Sequence, residues 1–179
     1  MVLNTTSGIP TQLADNNSIT RSMPGLAMNS DNIFTMEGDD DSLASVNPTT
    51  GVATLIGSGV GSSCCGNGMT FDQSDTLFLG GGSNLYSVNT STGAGTLIGA
   101  FTSSGFTTTP SSSYYLVSMS TRPSDGTIFG LLKRTGSGST EPSFLVTVNT
   151  ATAEVTYVGE TNGRYDGLVF VPSTLFPPP

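Results

Sequence analysis

The chain has 179 residues, of which 35% are hydrophobic and only 10% are charged, and it contains 23 glycines. These proportions suit a single domain that buries its own core, and they favour short strands and turns over long helices. Thirteen acidic residues against five basic ones give a net charge of -8, which argues against a nucleic-acid partner. No run of about 18 apolar residues and no polybasic patch is present, so membrane insertion is not predicted.

Composition also bears on location. The chain has one lysine and is rich in threonine, serine, asparagine and glycine, a bias typical of secreted, cell-surface and virion proteins. Its first residues lack the basic and apolar regions of a signal peptide. We expect an extracellular, cell-surface or virus-particle location.

Four similar short strands recur along the chain at intervals of 43, 50 and 49 residues, at 25–28, 68–71, 118–121 and 167–170. In the first three units a polar turn and a second apolar strand follow. Two more strands, joined by a threonine-rich turn, lie in LASVNPTTGVATLIG (43–57), LYSVNTSTGAGTLIG (85–99) and LVTVNTATAEVTYVG (145–159). Four strands per unit at this period predict an all-β fold, a β-propeller of about four four-stranded blades.

The two ends of the chain are complementary parts of one such blade. Residues 2–9 align with residues 45–52 and predict its last two strands, whereas 167–176 predict its first two. The closing strands contain Val2, Leu3, Ile9, Leu168, Phe170, Leu175 and Phe176. The single domain, 1–179, therefore divides into full blades 25–67, 68–117 and 118–166 and a split blade made of 1–24 and 167–179.

The split blade can close within one chain or between chains. Closure within the chain leaves no exposed sheet edge, and it is favoured because tethered partners meet at a high effective concentration. Closure between chains would give a homo-oligomer, either a larger ring or an open filament.

The repeated motifs resemble those of a known class of protein. GLAM (25–28), SDGTIFG (124–130), LYSVNxxTG (85–93) and TLIG (96–99) are similar to the repeats of secreted and surface bacterial β-propellers. The resemblance covers essentially the whole chain, and it implies blades rather than a chemistry. The chain has no histidine and no tryptophan, so it lacks the marks of WD40 blades and the tryptophan-docking motif of quinone-cofactor propellers.

The absence of histidine limits catalysis. It removes the commonest general base and excludes Ser-His-Asp and Cys-His mechanisms within the chain. Paired carboxylates remain available for acid–base work, but the acidic residues fall mainly in turns, where aspartate bonds to nearby backbone N–H groups. We predict that the protein is not an enzyme and that no catalytic residue is present.

An acidic turn lies between the second and third strands of the first full blade, with Glu37, Asp39, Asp40 and Asp41. The carboxylates at 39–41 are suited to calcium, but their spacing does not match an EF-hand loop. A solvated acidic hairpin is the favoured interpretation, and neither a metal site nor a cofactor is predicted.

Adjacent cysteines, Cys64 and Cys65, lie in the connection between the first two full blades. A vicinal disulfide, a disulfide with another chain and reduced, packed thiols are all compatible with this position, and the packed thiols are favoured. Two cysteines are too few for a zinc site within one subunit.

Two insertions, at 101–115 and 133–143, should emerge on the same end of the blades as the acidic turn. This loop-rich face would carry Phe106, Tyr114, Lys133 and Arg134 beside the acidic residues. Because functional residues concentrate on loops held by a rigid scaffold, it is the predicted partner-binding face for a protein or a glycan. The alternative is that these insertions are merely tolerated.

The sequence features are compatible with three functions. The leading hypothesis is a non-catalytic structural or adhesive propeller module of an extracellular, cell-surface, virion or filament assembly. The second is a carbohydrate-binding propeller, for which only tyrosine and phenylalanine could stack on a sugar. The third is a glycan-active enzyme that uses carboxylates alone.

Overall fold

The structure, a computed structural model, describes residues 2–3, 10–11, 25–36, 42–57, 59–61, 68–106, 114–134 and 141–170. The predicted all-β class is confirmed, because these residues form strands and turns and no helix. In this part of the chain there is consequently no helix long and apolar enough to cross a membrane.

The strands follow one another in chain order and group into a hairpin and three sheets. The hairpin has β1 (Val2–Leu3) and β2 (Pro10–Thr11). The first sheet has β3 (Leu26–Met28), β4 (Ile33–Met36), β5 (Leu43–Val46) and β6 (Ala53–Ile56). The second has β7 (Met69–Phe71), β8 (Leu77–Gly81), β9 (Asn84–Val88) and β10 (Gly95–Ala100). The third has β11 (Thr102–Ser104), β12 (Tyr114–Thr121), β13 (Ile128–Arg134), β14 (Phe144–Val148) and β15 (Glu154–Glu160).

Consecutive strands pair antiparallel in each sheet, as the repeat predicts. The third sheet has one additional strand outside this pattern. Its strand β11 lies outside β15 and runs parallel to it, with Thr102 opposite Glu154. The connection 101–115 is therefore not only a loop on one face, because part of it covers a sheet edge. Strand β12 begins at Tyr114, earlier than the predicted blade start at Ser118, and a bulge separates Leu116 from Ser118.

The turn that recurs between the last two strands of each unit has a local cause. In the first unit, Asn47 Oδ1 accepts hydrogen bonds from the N–H groups of Thr49 and Thr50, both at 2.9 Å. Asn89 accepts from Ser91 and Thr92 in the second unit, and Asn149 accepts from the N–H of Ala151 in the third. Such asparagine turns place a later residue in the left-handed region. The residues there are Gly51 (φ 73°), Gly93 (φ 73°) and Ala153 (φ 60°).

The sheets bury their apolar faces against one another. Ala27, Phe34 and Leu43 of the first sheet pack with Met69, Phe71 and Leu77 of the second. Phe78 and Leu85 on the other face of the second sheet pack with Met119, Ile128 and Val146 of the third. The second and third sheets are further joined by Thr70 and Thr121, whose hydroxyl oxygens lie 3.0 Å apart.

An aromatic contact marks the boundary between the first two sheets and recurs at the end of the third. The rings of Phe34 and Phe71 lie 5.4 Å apart at 60°. The rings of Phe129 and Phe170 lie 5.3 Å apart at 64°. Phe34 and Phe129 occupy equivalent repeat positions, as do Phe71 and Phe170. Residues 167–170 thus take the place that the first strand of a following unit would occupy.

The N-terminal hairpin has the register predicted for the last two strands of the split blade. Val2 pairs with Thr11 and Leu3 with Pro10, the register in which β5 pairs with β6 at the aligned positions. Residues 167–170, predicted as a strand, pair with none of the described strands, although the N–H of Leu168 donates to Ser118 Oγ at 3.0 Å. Ile9, Leu175 and Phe176 lie outside the described residues. Closure of the split blade therefore stays a prediction.

Candidate functional site

Much of the predicted loop-rich face lies outside the part of the chain that the structure describes. This holds for Glu37, Asp39, Asp40, Asp41, Cys64 and Cys65. Arg134 ends β13, and its side chain is outside the described set as well. The acidic turn and the cysteine pair therefore stay predictions.

Two predicted residues of this face, Phe106 and Tyr114, lie close together but are not free. Phe106 packs on Phe144 and Tyr157, with ring centroids 5.7 and 5.1 Å away. Tyr114 lies 6.2 Å from Phe144. All four rings are only partly exposed. Pairing of β11 beside β15 brings Phe106 over Tyr157, so the insertion is held to the third sheet by aromatic contacts.

Lys133 was expected on an exposed loop, and that expectation is wrong. Its side chain is only 2% exposed, and its ammonium donates to Asp166 Oδ1. The cause is the length of β13, which continues to Arg134 because Tyr115 of the early-starting β12 pairs with Lys133. Burial lowers the pKa of Lys133, and the positive charge of Arg164 acts in the same direction.

The segment after β15 is fixed to the third sheet around Ser143. Thr161 Oγ1 donates to the carbonyl of Ser143 at 2.8 Å, and Ser143 Oγ donates to the carbonyl of Tyr165 at 3.1 Å. Together with the ion pair of Lys133 and Asp166, these bonds anchor residues 161–170, which we call the terminal segment. Lys133 is therefore a structural anchor rather than an exposed binding residue.

A groove of about 380 Å³ lies at the opposite ends of the strands, between turns of the second and third sheets. The buried side chains of Ile128 and Val148 contribute to its lining. The other lining residues are Asp72, Gln73, Ser74, Asp125, Gly126, Thr127, Asn149 and Thr150. Hydroxyl, amide and carboxylate groups beside apolar side chains suit a small hydroxyl-bearing ligand.

Asp125 is the most perturbed group in the groove. Arg122 Nε donates to its Oδ1 at 2.8 Å, and the N–H of Thr127 donates to the same oxygen at 3.1 Å. Mainly the hydrogen bond from Arg122, and then that from Thr127, holds the pKa of Asp125 well below its usual range. The carboxylate stays ionised and stabilises its own turn, so it is not suited to donate a proton.

Two further groove residues, Asp72 and Gln73, are also engaged in structure. Asp72 Oδ1 accepts from the N–H groups of Ser74 and Thr76, each at 2.9 Å. Gln73 Nε2 donates to the carbonyl of Pro123 at 3.2 Å and so joins the turns of two sheets. Among the described residues, no group of three or more histidine, cysteine, aspartate or glutamate side chains could hold a metal ion. Asp72, Gln73 and Asp125 thus hold the turns that form the groove.

Sequence reasoning assigned these turns to hairpins and did not predict the groove. A signal was nevertheless present, because Gln73 and Pro123 are separated by the repeat interval and occupy the same turn of successive units. Neighbouring units of a repeat protein stack side by side, so equivalent turns become neighbours.

Comparison with known proteins assigns no family, since neither a protein-family model nor a curated protein matches the chain. Among solved structures, a Kuenenia stuttgartiensis hydrazine synthase is 12% identical, with a TM-score of 0.48 over 76% of this chain. This chain spans 36% of the hydrazine synthase chain. The computationally designed Ika4 protein is 10% identical, with a TM-score of 0.45, and the match covers 92% of this chain and 89% of that chain. Both scores are too low to transfer a function.

Proposed function

We propose that the protein is a non-catalytic structural or adhesive module, built as a β-propeller of four sheets and acting outside a cell or on a particle surface. The observation that carries this proposal is the repeated aromatic contact. Because Phe170 meets Phe129 as Phe71 meets Phe34, a fourth sheet would continue the stack in the same geometry. The location rests on composition alone.

The N-terminal hairpin supplies further support. Its register matches that of the outer hairpin of the first sheet, so β1 and β2 are suited to be the last two strands of the fourth sheet. The pairing of Leu77 with Val88 in the second sheet predicts that Leu3 lies opposite Leu175. A module of this kind acts through its surfaces, in keeping with a chain that has no histidine.

A disulfide cross-link tests the fourth sheet directly. In a background with Cys64→Ser and Cys65→Ser, the pair Leu3→Cys and Leu175→Cys should oxidise to one defined disulfide, identified by mass spectrometry of the linked peptides. The matched control replaces Leu3→Cys by Leu97→Cys, an exposed residue of β10, and should give no such product. Equal cross-linking in both proteins, or none in either, contradicts a fourth sheet. The result does not depend on whether the two cysteines belong to one chain.

The groove favours carbohydrate binding as a second candidate function. Its polar lining beside Ile128 and Val148 suits sugar hydroxyl groups, although no aromatic ring of the described residues lines it. Thr150→Arg should fill the groove and abolish any binding on a glycan array, whereas Thr90→Arg, at the equivalent turn of the second sheet, should retain it. Identical array profiles for the two variants would exclude the groove as the sugar site.

A further inference from the structure

The contact between Lys133 and Asp166 joins a buried amine to an exposed carboxylate. Lys133 is the one lysine of the chain, and its side chain is 2% exposed, whereas that of Asp166 is 77% exposed. A lysine side chain normally reaches solvent and is rarely buried unless it is paired. We propose that Lys133 Nζ and Asp166 Cγ become linked by an amide bond, which cross-links the terminal segment to the third sheet. This modification site involves only described residues and does not depend on the proposed fourth sheet.

The buried position of Lys133 prepares its amine for this reaction. Lys133 lies near the end of β13 on the same side as Phe129 and Leu131, because alternate residues of a strand share a face. The terminal segment crosses this side, with Phe170 packed on Phe129, and Leu131 is only 3% exposed. Burial, and then the positive charge of Arg164, lowers the pKa of Lys133. A larger fraction of the side chain is therefore the neutral amine, which is the nucleophilic form.

Hydrogen bonds on both sides of Asp166 hold this part of the terminal segment beside the amine. Ser143 Oγ accepts from the N–H of Tyr165 and donates to the carbonyl of the same residue, both at 3.1 Å. On the other side, the N–H of Leu168 donates to Ser118 Oγ at 3.0 Å. The amine itself donates to Asp166 Oδ1. An amine held next to the group that it attacks reacts as if it were present at a high effective concentration.

The residue after Asp166 supplies a route to the amide bond. Gly167 is exposed, and a Cβ atom there would meet no described atom within 4 Å beyond its chain neighbours. Glycine has no side chain to hinder attack by its backbone nitrogen, so Gly167 N can attack Asp166 Cγ, close a five-membered succinimide ring and release water. Lys133 Nζ then attacks Cγ and breaks its bond to Gly167 N, which takes up the proton that the amine loses. The backbone peptide is restored, one amide bond is gained and one water is lost, with no oxidant or other reactant.

A second Asp-Gly pair in the chain shows what the amine adds. Asp125 is followed by Gly126, but its carboxylate accepts hydrogen bonds from the guanidinium of Arg122. A guanidinium stays protonated and does not act as a nucleophile, so a ring formed at Asp125 can only react with water, which restores the original mass. Ring closure needs a protonated carboxyl group, which is rare at neutral pH. The freshly purified protein therefore contains the ion pair, and the cross-link accumulates slowly.

Mass spectrometry of the denatured protein during prolonged incubation at neutral pH tests the cross-link. The wild-type protein should progressively lose the mass of one water molecule. After digestion with trypsin, the peptide that ends at Arg134 should be joined to the peptide that begins at Tyr165, without cleavage after Lys133. Asp166→Asn should form the same cross-link faster and release ammonia instead of water, because a neutral asparagine side chain closes the ring without prior protonation.

Two control variants separate the cross-link from ring formation alone. Lys133→Met keeps the Asp-Gly pair and should give no linked peptide, and circular dichroism would establish that it folds. Gly167→Ala keeps both reacting side chains and should slow the reaction, because its methyl group hinders attack by the backbone nitrogen. Absence of the linked peptide from the incubated wild-type protein overturns the proposal. A loss of water that Lys133→Met shares with the wild type also overturns it, since the ring alone would then explain the change in mass.

Discussion

Gly93 tests how closely the first two sheets stack. A Cβ atom placed on Gly93 would lie 2.3 Å from the carbonyl oxygen of Ile56, a backbone atom that cannot swing aside. The residue also has a φ of 73°, in the left-handed region. Gly61 has nearly the same φ, 78°, but a Cβ there would meet no described atom within 4 Å beyond its chain neighbours. The two glycines separate backbone strain from close packing.

The two substitutions should cost different amounts of stability, because backbone strain acts at both glycines and close packing acts only at Gly93. Left-handed backbone costs an alanine about 1–2 kcal/mol, and the lower entropy of the unfolded alanine chain returns about 0.4–1 kcal/mol. Gly61→Ala should therefore cost about 1 kcal/mol. Gly93→Ala adds the cost of moving one sheet away from the other, about 1–3 kcal/mol for overpacking, and should cost about 2–4 kcal/mol in total.

Urea unfolding followed by circular dichroism measures both values. Gly93→Ala should lower the midpoint clearly more than Gly61→Ala, with similar denaturant slopes for the two proteins. Equal shifts would refute the backbone contact between the sheets, because the strain term alone would then explain both. A large loss for Gly61→Ala alone would show that space at that site is also restricted.

Three further predictions concern the third sheet. Ala153→Gly relieves left-handed backbone strain of about 1–2 kcal/mol. It also removes a buried methyl group worth about 0.8 kcal/mol and raises the entropy of the unfolded chain, which costs about 0.4–1 kcal/mol. The free energy of unfolding measured in urea should therefore differ from that of the wild type by less than about 1 kcal/mol. Asp125→Asn should lower the melting temperature at neutral pH. Since the folded pKa of Asp125 is depressed, its stabilising effect is complete above the ordinary aspartate pKa of 3.8, and the difference in melting temperature between the two proteins should shrink only at lower pH. Lys133→Met removes a buried ammonium while leaving Asp166 77% exposed, so stability at pH 7 should be retained. Because the folded pKa of Lys133 lies below 10.5, the wild type should become more stable relative to the Met variant as the pH rises towards 10.5. Parallel curves of stability against pH for the two proteins would contradict the buried charge.

The elements that sequence predicts well are those with local causes. The turns begun by Asn47, Asn89 and Asn149 form from hydrogen bonds within five residues, so the repeated motif contains the information that makes them. Strand β11 is different. Its pairing of Thr102 with Glu154 joins residues far apart in the chain, and no alternation within three residues indicates it.

The candidate sites also divide into features with a local cause and features that depend on contacts between distant parts of the chain. The polar turns around Gln73 and Pro123 could be aligned from the repeat interval, but their hydrogen bond requires the stacked geometry. Lys133 looked exposed because a charged residue beside a glycine- and serine-rich stretch usually is. Its burial follows from the extra length of β12 and β13 and from Asp166, which lies on a segment of irregular structure.

The sheets derive from one repeat, so differences at equivalent positions show what the repeat itself does not require. Met28, Phe71 and Phe170 are one such set. Phe71 is buried against Phe34 and Phe170 contacts Phe129, whereas Met28 is 67% exposed. The repeat therefore requires no aromatic ring at this position, and where a ring is present it packs on a phenylalanine of another strand. Phe106 and Tyr114, the aromatic candidates of the loop-rich face, are likewise occupied with packing, so their rings belong to the scaffold.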